Sequence, residues 1–264
     1  MSERLIDVVA EPGRPGISRW RAVTPSGVVA GVVDLRPVLP FDDESPVAVR
    51  AGGLGLDLHV EPRWRRRGIG STLLTAVVEN AVGLRLVGDV AAGSAGESFC
   101  LRHGFRRVGS WGRDLLPCCD VHRAWLGELV DVEHPRYRLR HWTGDLRGAA
   151  GVEHLLRRPS HPGEAVVSAA ETDGGVVAYA LATTGSPLRR RARQYGPVVL
   201  VGHRGRRLGV WVNAALIQRL CDIHPHVEEI ETRTADGDLG TLALRRHLGF
   251  HPVGRSVRYE LALP

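Results

Sequence analysis

The sequence contains no lysine, a single methionine and four cysteines, and aromatic residues make up 5% of its 264 residues. All 35 basic side chains are therefore arginines. No apolar run approaches the roughly 18 residues that a membrane-spanning helix needs, and the first residues lack the apolar stretch of a secretion signal. We therefore expect a cytoplasmic protein that does not enter a membrane.

The arginines are unevenly distributed along the chain. The first 135 residues carry 16 arginines against 17 acidic residues, whereas the rest carry 19 against 12, so the formal charge of +6 arises in the second half. Such an excess of positive charge is one feature of nucleic-acid-binding proteins. Aromatic side chains, on which unpaired bases stack, are not interleaved with the arginine runs. We therefore do not expect nucleic acid binding, but a solvated arginine face or a small phosphorylated ligand.

The cysteines and histidines show no spacing typical of a metal site. The chain has no C-x-x-C pattern, and adjacent Cys118 and Cys119 cannot both ligate one tetrahedral zinc ion without strain. Gly249 interrupts the pair His247 and His251, which argues against a shared helix face. The sequence therefore predicts neither a metal site nor a disulfide framework.

Two parts of the chain repeat one plan. Residues 60–74 read V-E-P-R-W-R-R-R-G-I-G-S-T-L-L, and residues 199–217 read V-L-V-G-H-R-G-R-R-L-G-V-W-V-N-A-A-L-I. Each is an arginine-rich turn that leads into an apolar helix. Further along, each half has a short helical stretch that closes in Gly-Phe, at residues 99–109 and 244–254. The copies lie about 140 residues apart, which is a domain length, so the chain is predicted to be a duplicated domain.

The predicted secondary structure has the same order in both halves. In the first half, strands are predicted over residues 18–23, 27–35, 53–60 and 85–90, and helices over 68–82 and 97–103. In the second half, strands are predicted over residues 165–171, 176–183, 195–201, 227–232 and 256–263, and helices over 208–221 and 240–247. This alternation predicts an α/β (α+β) fold with a mixed sheet in each half. We expect domains at residues 1–120 and 136–264, joined by a linker at 121–135 with a helix over 120–129.

The turn R-R-R-G-I-G can bind phosphate through its backbone. A strand that ends in such a turn and then opens a helix presents free N–H groups in front of the positive helix end. Gly68 and Gly70 let the backbone approach a pyrophosphate without a Cβ clash. The spacing matches neither G-x-x-x-x-G-K-[ST] nor G-x-G-x-x-G, because Leu73 stands at the third glycine position. If the chain had only one such turn, an ordinary helix start that binds no ligand would be an equally good interpretation.

The pattern V-x-P-x-x-R-R-x-G-I-G-x-x-L-L, followed by F-x-x-x-x-G-F, resembles motifs A and B of the GNAT superfamily of acyl-CoA-dependent N-acyltransferases. The resemblance covers nearly the whole chain as two units and places the signature R-x-x-G-x-G at Arg65, Gly68 and Gly70. It implies two tandem GNAT-like domains, each a mixed, mostly antiparallel splayed sheet flanked by helices. The arrangement is similar to that of mycothiol synthase-like acetyltransferases, in which one half can lose catalysis and remain as a structural partner.

The resemblance also implies acetyl-CoA as the co-substrate, with its pyrophosphate on the turn and its pantetheine arm along the preceding strand. The residues implied in the first half are Leu58, His59, Val60, Arg65, Arg66, Arg67, Gly68, Ile69, Gly70 and Ser71. Those implied in the second half are Val199, Arg204, Gly205, Arg206, Arg207, Leu208 and Gly209. Arg207 stands where the signature has its first glycine, and its side chain either crowds the pyrophosphate or binds it. We therefore favour the first half as the coenzyme site.

The catalytic groups are less apparent. Amide-forming acyl transfer needs a base or water path for the amine, an oxyanion donor and an acid for the leaving thiolate. In the family, a tyrosine often supplies the acid four residues before the Gly-Phe glycine, but Cys100 and Arg245 stand there, so the role is unfilled in both halves. Asp57 and His59 are the candidate bases, each with a solvated or structural role as the alternative. They share one face of their strand. Cys100 is not expected to act as a nucleophile, because a half-buried helix cysteine is usually inert.

The leading interpretation is an acetyl-CoA-dependent N-acetyltransferase that acts on a primary amine of a small metabolite, an antibiotic-type compound or an aminoacyl substrate. The alternative is a catalytically silent acyl-CoA-binding or scaffold protein of the same fold, motivated by the missing tyrosine and by Arg207. Each half has few residues before its second strand, which predicts an open or shared acceptor site. No metal is expected, and a homodimer is left open.

Overall fold

The computed structural model describes residues 6–11, 18–37, 53–80, 85–146, 149, 151–184 and 190–263. The described residues form two compact units. Unit 1 contains those that lie within residues 6–110 together with 256–263, and unit 2 contains those within 111–255. This division differs from the boundaries expected from the sequence, because residues 111–120 belong to unit 2 and residues 256–263 belong to unit 1.

The elements follow one another along the chain in an order that repeats between the units. The strands are β1 (Asp7–Glu11), β2 (Ser18–Val23), β3 (Val29–Pro37), β4 (Gly53–Val60), β5 (Arg85–Ala91), β6 (Arg106–Pro117), β7 (Arg138–Gly144), β8 (Ala165–Thr172), β9 (Gly175–Thr183), β10 (Arg191–Val199), β11 (Glu229–Ala235) and β12 (His251–Ala262). The helices are α1 (Ile69–Asn80), α2 (Ala95–Arg102), α3 (Arg123–Val130), α4 (Val152–Leu156), α5 (Leu208–Ile223) and α6 (Leu239–His247). The mixed α/β fold class is therefore confirmed.

Most predicted elements are present, with ends displaced by a few residues. The helix predicted over 120–129 is α3, and the end of the first predicted helix, at residues 81–82, lies outside the described residues. The sequence prediction omitted β1, β6, β7 and α4. The sequence of β6, R-R-V-G-S-W-G-R-D-L-L-P, hides a strand because only its last residues alternate between buried and half-buried positions.

The sheet of unit 1 has the strand order β1-β2-β3-β4-β5-β12. All neighbours are antiparallel except β4 and β5, which run parallel. Helix α1 packs on this sheet through Ile69, Leu73 and Val77, which recur every four residues and form one buried face. This packing holds the first turn of α1 just beyond the C-terminal end of β4.

The last strand of the chain completes the sheet of unit 1. Residues 256–262 of β12 pair with β5 along its whole length. Arg258 donates two hydrogen bonds to Asp89, of 2.9 and 3.1 Å, and Tyr259 Oη donates to Glu97 Oε1 at 2.8 Å. Tyr259 also belongs to the apolar core of this unit. Unit 1 therefore depends on residues that follow unit 2 in the sequence.

Unit 2 has the corresponding strand order β6-β11-β10-β9-β8-β7, in which β6 contributes residues 111–117. Only β10 and β11 are parallel. Helix α5 is buried at ten of its 16 positions, because the sheet covers one side and α3 covers another. Trp211 Nε1 of α5 donates to the carbonyl oxygen of Val130 at 2.9 Å, which fastens the end of α3 to it.

Candidate functional site

In each unit, two parallel strands diverge and leave a gap in the sheet. In unit 1, β4 and β5 pair only over Gly53–Gly55 and Arg85–Val87, after which β5 continues beside β12 and β4 beside β3. In unit 2, β10 and β11 pair over Arg191–Gln194 and Glu229–Thr232. Both gaps open toward the loop that leads into the following helix, so each sheet edge is continuous with an arginine-rich loop.

The two loops have the same backbone conformation. In unit 1, φ is 64° at Arg66 and 81° at Gly68; at the equivalent positions of unit 2, φ is 74° at Gly205 and 60° at Arg207. A Cβ on Gly68 or on Gly205 would meet no atom within 4 Å. Arg207 therefore fits the left-handed position without a clash, and the loop of unit 2 keeps its shape although the signature glycine is missing.

The first turn of each helix presents free amides. The first intrahelical bond of α1 runs from the N–H of Thr72 to the oxygen of Gly68, at 3.0 Å. The amides of residues 69–71 precede that bond and have no acceptor within the helix. In unit 2, the corresponding first bond joins the N–H of Trp211 to the oxygen of Arg207, at 3.1 Å. Both loops can therefore offer N–H groups and a positive helix end to an anion.

The second signature glycine has a packing role. A Cβ on Gly70 would lie 3.1 Å from Cε2 of Phe99, and a Cβ on the equivalent Gly209 would lie 3.2 Å from Cδ1 of Leu244. These distances are closer than an ordinary carbon contact. Glycine at this position therefore allows α1 to approach α2 and α5 to approach α6. The sequence interpretation had related Gly70 to pyrophosphate alone.

The arginines of the loop are partly engaged with the protein itself. Arg65 Nε donates to the carbonyl oxygen of Val60 at 3.0 Å, and Arg204 Nε donates to that of Val199 at 3.4 Å. The guanidinium of Arg67 lies 5.0 Å from the centre of the Trp64 ring, within cation–π range. The equivalent arginines Arg65 and Arg204 thus link each loop to the end of its strand.

The edge of β4 that faces the gap carries backbone polar groups. The N–H of Glu61 donates to the carbonyl oxygen of Ala30 at 3.0 Å. The antiparallel pairing of β4 with β3 continues from this bond, beginning with Val60 opposite Gly31. Because hydrogen-bonded pairs alternate along an antiparallel ladder, the odd-numbered residues of β4 bond to β3. The amides of Leu58 and Val60 therefore point to the opposite edge, beyond Gly55, where the pairing with β5 has ended. An extended ligand can pair with this edge as a further strand would.

The edge of β10 in unit 2 differs at the position equivalent to Leu58. Val199 corresponds to Val60, since each accepts from the arginine of its loop, and Pro197 therefore corresponds to Leu58. Proline has no N–H to donate. The pairing of β10 with β9 also shifts register between Tyr195 and Val198. The edge of unit 2 thus lacks the donor that unit 1 offers.

A buried arginine occupies the gap of unit 2. Arg245 of α6 has 1% of its surface exposed. Its Nη2 donates to the oxygen of Gly196 on β10 at 3.1 Å, and Nη1 contacts Thr234 Oγ1 on β11. The Arg245 Nη1 atom lies 3.9 Å from Asp114 Oδ2, which accepts from Thr234 at 3.3 Å. The guanidinium therefore bridges β10 and β11 beyond the point where they separate, and the residues of unit 2 do not fit a pantetheine arm.

Cys100 of α2 stands in unit 1 where Arg245 stands in unit 2. It is 5% exposed, and burial raises the pKa of its thiol to about 11. The thiol is therefore neutral at physiological pH and a poor nucleophile. Because a cysteine is much smaller than an arginine, it does not reach across the gap as Arg245 does.

The two candidate bases lie together on the exposed face of β4, opposite the helices. Leu54, Leu56 and the other even-numbered residues of β4 pack in the core of unit 1, so alternation directs Asp57 and His59 to the other face. His59 Nε2 lies 3.7 Å from Glu61 Oε1, and both side chains are at least half exposed.

The register adds two residues that the sequence did not single out. Asp34 of β3 lies directly opposite Asp57, and Arg19 of β2 lies opposite Asp34. Arg19 Nε and Nη2 donate to the two carboxylate oxygens of Asp34, each at 2.6 Å. These hydrogen bonds raise the pKa of Arg19 despite partial burial. One arginine and two carboxylates thus form a row across three strands, which only strand pairing could reveal.

Among the described residues, no group of three or more histidine, cysteine or acidic side chains could hold a metal ion. No helix in this part of the chain is long and apolar enough to cross a membrane.

Comparisons with known proteins place the fold. No family model and no curated protein matches the sequence. A tandem GNAT protein from the clavulanic acid biosynthesis pathway aligns with a TM-score of 0.66 and 24% identity, over 96% of this chain and 85% of its own. A GCN5-related N-acetyltransferase from Sphaerobacter thermophilus aligns with a TM-score of 0.54 and 18% identity, over 93% of this chain and 80% of its own. One from Kribbella flavida aligns at 0.55 and 18%, over 88% of each chain.

At these identities the likeness shows the fold alone. The chain has the tandem GNAT fold, in which the mixed strands of each unit contain one diverging parallel pair. The resemblance of the duplicated motif to GNAT proteins is therefore confirmed at the level of the fold.

Proposed function

We propose that the protein is an acetyl-CoA-dependent N-acetyltransferase whose coenzyme is held by unit 1. The observation that carries this proposal is the continuity of two features: the open edge of β4 ends directly at the free amides of α1. Leu58 and Val60 would hold the pantetheine arm, and the amides of residues 69–71, with Arg66, would hold the pyrophosphate. When bound, acetyl-CoA supplies an activated thioester to the amine.

Asp57 is our choice for the base that takes the proton of the amine. It is the first exposed side chain of β4 beyond Gly55, where the pairing with β5 ends. A ligand that runs along this edge from the α1 loop has its far end at that point. His59 lies two residues closer to the loop, about 6–7 Å away along the strand, and is already beside Glu61. Asp57 is therefore better placed than His59.

The acceptor in this proposal is a primary amine of a small metabolite, an antibiotic-type compound or an aminoacyl substrate. Its support is Asp57, an exposed carboxylate that can take a proton from the amine. Asp34 lies opposite Asp57 and is paired with Arg19, and the side chain of Arg36 lies over Gly55 on the same face. Two carboxylates and two guanidiniums are therefore close together there, so the proposal rests on Asp57 and not on the charge of the face.

Unit 2 has a structural role in this proposal. Its loop keeps the backbone of a phosphate site, but Pro197 and Arg245 leave no edge for a pantetheine arm. One coenzyme per chain is therefore expected. The second candidate function is a catalytically silent acyl-CoA-binding or scaffold protein, favoured by Cys100 at the position where the family often has a tyrosine acid.

Titration calorimetry with acetyl-CoA tests the coenzyme site, and a matched pair of variants tests its location. Ser71→Glu and Val210→Glu each place a carboxylate in the first turn of a helix, where it suits the helix dipole but repels a diphosphate. We expect one site per chain in the natural protein, at least tenfold weaker binding in Ser71→Glu and unchanged binding in Val210→Glu. Two sites, or equal losses in both variants, would contradict the assignment to unit 1.

The release of free coenzyme A thiol over a panel of amines separates the two candidate functions. Turnover with any primary amine, lost in Ser71→Glu, supports the transferase. Tight coenzyme binding without thiol release for any amine supports the silent binding protein.

A further inference from the structure

A side-chain hydrogen bond joins the first turn of α1 to the end of α2. Ser71 Oγ lies 3.0 Å from His103 Nε2, and both side chains are half-buried. The backbone N–H of Ser71 precedes the first intrahelical bond of α1, which begins at Thr72. The hydroxyl that His103 contacts therefore belongs to the same residue as one of the amides proposed above to hold the pyrophosphate.

Packing against Phe99 holds His103 in this position. His103 directly follows α2, and its N–H donates to the carbonyl oxygen of Phe99 at 3.1 Å. The centroids of the two rings lie 4.4 Å apart, with the rings tilted by 45°. Phe99 is also the ring that a Cβ on Gly70 would crowd. The close approach of α1 and α2 thus brings the imidazole to the hydroxyl of Ser71.

The hydroxyl of Ser71 is directed differently from those of its neighbours in α1. Helical serine and threonine side chains can bond back to a carbonyl oxygen of the preceding turn. Thr72 Oγ1 donates in this way to Gly68 at 3.3 Å, and Thr75 Oγ1 donates to Ser71 at 3.1 Å. Ser71 Oγ bonds to His103 instead. The direction of its proton therefore depends on the imidazole.

Unit 2 has apolar side chains at both equivalent positions. Counted from the second signature glycine and from the Gly-Phe closure, these positions hold Val210 and Leu248. Leu248 is buried in the core of unit 2. The polar pair thus accompanies the loop to which the coenzyme is assigned, and an apolar pair accompanies the loop whose strand edge is closed.

We propose that His103 is a positioning residue for the coenzyme, which turns the hydroxyl of Ser71 toward the pyrophosphate and strengthens coenzyme binding in acid. This inference rests on the coenzyme site proposed for unit 1. A serine hydroxyl has one proton, and a neutral imidazole has one donor and one acceptor nitrogen. If Nε2 of His103 accepts, it takes the Ser71 proton. If Nε2 donates, that proton is left for an oxygen of the pyrophosphate.

Protonation of His103 selects the second arrangement. An imidazolium donates from both nitrogens, so Nε2 can then only donate to Ser71 Oγ. The positive end of α1 opposes this charge in the free protein, whereas a bound diphosphate favours it. Binding of the proton and of the coenzyme therefore support each other. Histidine is the side chain that ordinarily changes its charge between about pH 5 and pH 8, so both states can be compared in solution.

The charged and titratable side chains of the elements around His103 are mostly arginines. They are Arg65, Arg66 and Arg67 of the loop, Glu79 of α1, Arg85 and Asp89 of β5, Glu97, Cys100 and Arg102 of α2, and Arg106 and Arg107 of β6. Glu97 accepts from the N–H of Gly93 and from Tyr259 Oη, at 2.6 and 2.8 Å. Asp89 accepts from Arg258, and Glu79 lies at the far end of α1. The pyrophosphate is therefore the expected partner of protonated His103.

Calorimetric titration of the full-length protein with acetyl-CoA, at about pH 8 and about pH 5.5, tests the proposal. The ratio of the two dissociation constants is compared between the natural protein and His103→Leu, which introduces the side chain found in unit 2. Titration of the 3′-phosphate of the coenzyme is common to both proteins, so the comparison removes it. On acidification, we expect the natural protein to gain about threefold to tenfold more affinity than the variant.

Three further variants separate positioning from packing and from general charge. His103→Gln keeps an N–H donor but cannot be protonated, so it should bind more tightly than His103→Leu and show the same weak pH response. In a Ser71→Ala background, His103→Leu should cost less affinity than in the natural protein, because part of its effect passes through the hydroxyl. Arg102→Leu removes a neighbouring exposed charge and should keep the natural pH response.

Separate results would overturn this inference and the coenzyme site. If acetyl-CoA binds but its pH response is unchanged in His103→Leu or in His103→Gln, the role of His103 is refuted and the coenzyme site stands. An equal cost of His103→Leu with and without Ser71, or loss of the pH response in Arg102→Leu, refutes it as well. Failure of the natural protein to bind acetyl-CoA at either pH would refute the proposed function, and the role of His103 with it.

Discussion

Gly68 and Arg207 occupy equivalent loop positions and share a left-handed backbone, with φ of 81° and 60°. At the other left-handed position the order is reversed, because unit 1 has Arg66 and unit 2 has Gly205. Each loop therefore has one glycine and one arginine in a conformation that favours glycine. The backbone path is what the two copies have in common, and the glycine pattern alone understates their similarity.

Replacement of Arg207 by glycine should stabilise the protein slightly. The left-handed backbone costs a residue with a side chain about 1–2 kcal/mol, whereas glycine loses roughly 0.4–1 kcal/mol more in unfolded-state entropy. We expect a net gain of about 0.5 kcal/mol in the free energy of unfolding, measured in urea. Arg206→Gly is the matched control, since its φ is not positive, and it should destabilise. Equal effects of the two substitutions would contradict the assigned backbone strain.

Replacement of Asp57 by asparagine should impair turnover while leaving coenzyme binding intact. The amide keeps the size of the side chain but cannot accept the amine proton, so kcat should fall by about 10²–10⁴-fold. The affinity for acetyl-CoA, measured by calorimetry, should stay within twofold. His59→Asn is the comparison on the same face, and we expect it to lower kcat much less. A larger effect at His59 would transfer the role of base to that residue.

Replacement of Arg245 by methionine should strongly destabilise unit 2. Methionine fills similar space but leaves Asp114 buried without its cationic partner, which typically costs about 3–5 kcal/mol. The neighbouring variant Arg246→Met, at an exposed position of the same helix, should change the free energy of unfolding by less than about 0.5 kcal/mol. Urea unfolding measures both. Adding Asp114→Asn to Arg245→Met should recover part of the loss, and failure to do so would indicate that the ion pair is not the cause.

Unit 2 should lose stability in acid through Glu231. Burial raises the pKa of this carboxyl, but hydrogen bonds and attraction from Arg113 and Arg191 outweigh it, so the folded pKa lies below the ordinary value of 4.5. The stabilisation is complete above pH 4.5 and is lost as the pH falls through the folded pKa. Melting temperatures should show this loss in the natural protein and a smaller one in Glu231→Gln.

Glu228→Gln is the control for that comparison, because Glu228 is exposed and pairs with Arg190 at the surface. It should retain the full acid sensitivity of the natural protein. If Glu231→Gln were as acid-sensitive as Glu228→Gln, other carboxylates would account for the loss.

Local patterns were sufficient to predict the described helices other than α4, and the two arginine-rich loops. Ile69, Leu73 and Val77 form a helix face from their spacing alone, and the arginine-rich turn before them identifies the loop in both copies. The role of Gly70 needed the structure, because it depends on Phe99, 29 residues away in the sequence. The strand β6 was missed because its pairing with β11, rather than its own alternation, makes it a strand.

The amino-acid sequence by itself determined that the chain is a duplicated α/β unit with two helix-opening loops, because those signals depend on residues within a few positions of one another. Only the tertiary structure decided that residues 256–262 of β12 complete the sheet of unit 1, that Arg245 closes the gap of unit 2 and that Asp34 lies opposite Asp57. These relationships depend on strand register and on packing between residues far apart in the chain, where a shift of one residue would place every side chain on the other face.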